Sequence, residues 1–70
     1  MIVRFELPAM KAHYVVIDFA KDRASQHLGG IDSYGQFVEF DREITPAWAA
    51  RIICQALQCG NPIERKEMVS

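Results

Sequence analysis

His13-Tyr14-Val15-Val16-Ile17-Asp18-Phe19 is the stretch on which the fold turns. β-Branched and aromatic side chains dominate it, and such residues pack well on a pleated surface. Alternation sets Val15, Ile17 and Phe19 on one face and Tyr14, Val16 and Asp18 on the other, so even the second face is only partly polar. The run is predicted to be the central strand of a sheet.

Working outward, residues 2–7 alternate in the same way, with Val3, Phe5 and Leu7 opposed to Ile2, Arg4 and Glu6, and Pro8 ends the pattern. Downstream, Gln36-Phe37-Val38-Glu39-Phe40 repeats the alternation. It is introduced by Asp32-Ser33-Tyr34-Gly35, with Asp at the first and Gly at the fourth position of a type I turn. Residues 20–31 fit two patterns. Ala20, Ala24 and Leu28 make a short helical stripe closed by Gly29-Gly30. Alternatively, residues 25–31 pair across the turn with residues 36–41, and this second reading is preferred because it completes a meander.

The last clear element is a helix over residues 46–59. Thr45 can cap it, Pro46 suits its first turn, and Gly60-Asn61-Pro62 stops it. Projected at 100° per residue, Ala49, Ile52, Ile53 and Ala56 centre an apolar arc flanked by Trp48, Leu57 and Cys59. Arg51, Gln55 and Gln58 form the polar stripe. The expected fold is α+β: an antiparallel three- or four-stranded meander sheet followed by one helix packed on one face. Residues 1–70 make a single small domain, with 63–70 as a frayed tail or an edge strand.

Size and composition narrow the function classes. A chain of 70 residues buries only roughly 60% of its unfolded surface, so its stability is marginal and apolar packing or self-association is the expected help. Cys54 and Cys59 lie about 140° apart around the helix axis, which rules out an easy bridge between them or a shared metal from that helix. His13 and His27 complete no zinc spacing, so no metal and no cofactor are expected and the thiols are read as free, in the cytoplasm. Residues 1–7 alternate rather than forming an apolar leader or a membrane span. A net charge of −1 provides no electrostatic footprint for a polyanion.

The sequence admits three function classes. An enzyme would draw on Ser25, His27 and Asp32, but no strand-turn-helix elbow surrounds Ser25, and the chain has little room for a closed pocket. A nucleic-acid-binding regulator would use Arg4, Lys21, Arg23 and Tyr14 across an outer sheet face. The preferred class is a non-enzymatic protein-interaction module that inhibits or modulates a larger partner. It matches the profile of small phage or mobile-element inhibitors of host defence complexes. Its expected contact residues are Lys21, Asp22, Arg23, His27, Asp32 and Tyr34, a mixture of charged, polar and aromatic groups between two strands. Ala47, Ala50 and Cys54 form a small-residue strip on the helix, the candidate face for a homodimer.

Overall fold

The computed structural model describes residues 1–9 and 12–68. In chain order they form β1 (Ile2–Glu6), β2 (Tyr14–Asp18), β3 (Arg23–Ile31), β4 (Phe37–Ile44), α1 (Pro46–Gln58) and β5 (Glu64–Met68). The five strands make one sheet in the order β4-β3-β2-β1-β5, and every neighbouring pair is antiparallel. β2 is central, as its two apolar faces predict.

The first four strands are a meander, joined by turns whose chemistry is local. Asp18 accepts the backbone N–H groups of Ala20 and Lys21 at 3.1 Å, closing the β2–β3 turn. Asp32 does the same at the β3–β4 turn, accepting from Tyr34 and Gln36 at 2.9 Å, and Gly35 takes the φ of +78° that this turn needs. The helical stripe over Ala20, Ala24 and Leu28 does not form. Alternation puts Ala24 and Gln26 inward, where both are buried, and pairing with β2 and β4 satisfies the backbone on both sides.

The sheet gains a fifth strand that meander logic does not supply. After α1, residues 64–68 return to the far edge and pair along the whole of β1, from Ile2 with Met68 to Glu6 with Glu64. The frayed-tail alternative is thereby set aside for these residues, while Val69 and Ser70 lie outside the described residues. β5 is exposed at every position, so backbone pairing rather than side-chain burial holds it.

One face of the sheet carries the core. Val3, Leu7, Val15, Ile17 and Ala24 are buried there, and Ala49 is the single helix residue fully enclosed against them. Phe5, Ile44 and Ile53 complete that cluster from its edges. Thr45 caps the helix through its hydroxyl, which accepts the Trp48 N–H at 3.1 Å, and Pro46 occupies the first turn. No helix among the described residues is long and apolar enough to cross a membrane.

Candidate interaction surface

Strand lengths decide which parts of the sheet lack cover. β2 ends its pairing with β3 at Tyr14 opposite His27, yet β3 runs on to Ile31 and β4 begins at Phe37. Leu28, Gly29, Gly30 and Ile31 therefore pair only with β4, and the β3–β4 hairpin projects as a two-stranded arm. Phe40 lies over Gly30, where an added Cβ would stand 3.1 Å from the ring. Four large apolar groups stand exposed on this arm: Tyr34 at 87%, Ile31 at 65%, Phe40 at 52% and Phe37 at 43%; Met1, Phe19, Trp48, Leu57 and Met68 are exposed elsewhere.

The outer face of the sheet, away from α1, is polar and ordered by cross-strand stacking. Tyr14 and His27 are stacked 4.4 Å apart at 11°, and the Arg4 guanidinium approaches from the β1 side to 3.6 Å from the Tyr14 ring centre. Glu6 holds Arg4 through an ion pair. The Ser25 hydroxyl lies 2.9 Å from His27 Nε2. In register, Asp41 stands across from His27, and Glu39, Asp41 and Glu43 alternate along β4 on this same outer face. A depression of about 260 Å³ lies beside it, bounded by Ala12, Tyr14, His27, Leu28, Glu39, Phe40 and Asp41.

The inner face holds a buried polar chain. Gln26 donates toward His13 Nε2 at 3.0 Å and accepts from Arg42 Nε at 2.9 Å. Burial lowers the His13 pKa from its ordinary 6.5, because charging the imidazole would cost hydration. Among the described residues no buried side-chain nitrogen or oxygen is left without a hydrogen bond.

The six residues expected to form one contact surface are dispersed. Lys21, Asp22 and Arg23 lie at the β2–β3 turn, whereas Asp32 and Tyr34 lie at the opposite end of β3, roughly 27 Å away at 3.3 Å per residue. Arg23 is bonded to Glu43 at 2.8 and 3.0 Å, and His27 sits half-buried between these ends. Asp32 is occupied in its turn and is remote from the Ser25–His27 pair, so the three do not assemble into a triad. Ala47, Ala50 and Cys54 are all exposed on α1, as the projection predicts.

No family model, curated protein or solved structure matches the chain. Its surface must be read from its own residues. Ile31 and Phe40 are not among the expected contact residues, because Ile31 falls in the ambiguous segment 20–31 and Phe40 shares a strand face with Val38. The signal lies in the count: a turn that sets residue 18 against 23 pairs residue 14 with 27, so everything beyond residue 27 outruns the central strand.

Proposed function

We propose that the protein works by contact, as a non-enzymatic module that binds a larger protein partner and inhibits or modulates it. The observation that carries this reading is the hairpin arm, on which Ile31, Tyr34 and Phe40 stand exposed beyond the reach of β2. Aromatic and large aliphatic groups grouped on a projecting element are costly in water and supply anchors at a protein interface. Small inhibitors that phages and mobile elements direct at host defence complexes are the class this profile fits.

A nucleic-acid partner is less favoured. Tyr14, the candidate stacking residue, is sandwiched between Arg4 and His27, and the Arg23 guanidinium is engaged by Glu43. A base would have to displace those contacts, and a net charge of −1 offers little compensation.

The test is affinity capture from the native host with wild-type protein and with the double variant Ile31→Ser/Tyr34→Ser. A stoichiometric protein recovered with the wild type and lost with the variant is the expected result. Recovery of nucleic acid alone, or of nothing stoichiometric, refutes the reading.

A further inference from the structure

β4 ends the sheet, and its outward backbone edge pairs with no other strand among the described residues. Exposed edges of this kind are templates for strand addition. Its outer-face side chains are Phe37, Glu39, Asp41 and Glu43, and its inner-face ones are Val38, Phe40, Arg42 and Ile44, with Arg42 held by Gln26. Glu43 has Arg23, but Glu39 and Asp41 make no ion pair among the described residues.

That acid row argues against a second copy as the occupant. Strands paired antiparallel put residues of the same face opposite one another. A two-fold pairing centred on Phe40 would oppose Glu39 to Asp41 of the other copy. One centred on Asp41 would oppose Asp41 to itself and Glu39 to Glu43. Carboxylates meet carboxylates either way, and such pairs are destabilising. Arg23 shows the opposite case from within the fold: a cation on the neighbouring strand reaches the row and pairs with Glu43 at 2.8 Å. The depression of about 260 Å³ beside Glu39 and Asp41 also reaches Leu28 and Phe40, so it offers both carboxylate and apolar lining to an incoming side chain.

We propose that β4 accepts, as a sixth strand, an extended protein segment that alternates basic and apolar side chains, basic ones over Glu39 and Asp41 and apolar ones over Phe40. The inference rests on the contact reading above and specifies its partner's chemistry. Backbone hydrogen bonds would supply affinity, and the carboxylate row would supply direction and selectivity.

The probe is a capped, fluorescently labelled hexapeptide, Lys-Val-Lys-Val-Lys-Val, titrated into the full chain by anisotropy, with amide NMR shifts locating the site. Expected are saturable binding, shifts centred on residues 38–43, and at least tenfold weakening for Glu-Val-Glu-Val-Glu-Val, for the Glu39→Lys/Asp41→Lys variant and for the Lys-Val peptide N-methylated at alternate residues. Gln55→Glu, exposed on the helix, is expected to leave binding unchanged. The variant's dispersed amide spectrum verifies its fold. Absence of binding up to about 1 mM, indifference to N-methylation, or shifts confined to residues 47–57 overturns the proposal. If a captured partner is lost with Ile31→Ser/Tyr34→Ser but retained by Glu39→Lys/Asp41→Lys, the contact reading stands and the β4 proposal falls.

Discussion

His13 Nε2 lies 3.0 Å from the side-chain nitrogen of Gln26, on the helix-facing side of the sheet. Because the Gln26 oxygen is taken by Arg42, its NH₂ group must face His13, and the imidazole must accept there. The contact therefore requires a neutral ring. A proton on Nε2 would set donor against donor, and rotating the amide would only move that conflict to Arg42.

From this follows a pH dependence with a definite sign. The folded-state pKa of His13 is depressed by burial below 6.5, so between the two values the unfolded chain binds more protons than the fold. The stabilisation is complete above pH 6.5 and is lost as pH falls through the folded value. Urea midpoints are expected to drop between about pH 7.5 and about pH 5.5, and His13→Gln is expected to reduce that drop. Equal wild-type midpoints at the two pH values would refute the coupling.

Two neighbouring alanines on α1 are expected to behave oppositely. Ala49 is fully enclosed against Ile17 and Ala24, so Ala49→Leu overpacks the helix–sheet contact and costs about 1–3 kcal/mol by chemical denaturation. Ala50 is exposed, and Ala50→Glu is expected to change stability by less than about 0.5 kcal/mol. The same variant tests the small-residue strip. Should wild type and Ala50→Glu both sediment as monomers at tens of micromolar, the strip has no role in self-association.

Removing the helix cap has a separable effect. Thr45→Ala deletes the hydroxyl that accepts the Trp48 N–H and is expected to cost about 1 kcal/mol. Thr45→Ser is expected to restore most of it, whereas equal losses in the two variants would show that the hydroxyl is not the cause.

β5 protects an edge as well as completing the sheet. Truncation after residue 63 would leave the backbone of β1 unpaired beside buried Val3. The truncated chain is expected to be less stable and to aggregate on concentration, read by light scattering. A truncated protein as soluble and stable as the full chain would contradict this role.

The exposed arm and the core are expected to separate energetically. Val15→Ala empties a fully buried site at the centre of the sheet and is expected to cost about 2–3 kcal/mol. Tyr34→Ser, at the hairpin tip, is expected to stay within about 0.5 kcal/mol of wild type. A large loss at Tyr34 would mean that the arm belongs to the fold rather than to a contact surface.

Much of the architecture was legible, and the reasons are local. Alternation marks residues 2–7, 13–19 and 36–40 as strands, and Thr45, Pro46 and Gly60 bracket the helix to within a residue of its observed end. Residues 20–31 were ambiguous because alanine, glycine and small polar groups carry weak periodicity, so neighbours rather than propensity make them a strand. β5 was legible only as one of two options. Its Glu-Arg-Lys-Glu-Met sequence buries nothing, and an edge strand held by backbone bonds leaves no side-chain signature.

The candidate surface divides along the same line. Composition and motif content alone turned the reading away from catalysis and toward contact, and the helix projection alone placed Ala47, Ala50 and Cys54 outside the core. Only the tertiary structure separated Lys21, Asp22 and Arg23 from Asp32 and Tyr34, sandwiched Tyr14 between Arg4 and His27, and left Ile31 and Phe40 beyond the last residue of β2. Side-chain period is written in the chain one residue at a time. Which strand lies beside which, and which runs past its neighbour, depends on pairings between distant segments, and those exist only once the sheet has formed.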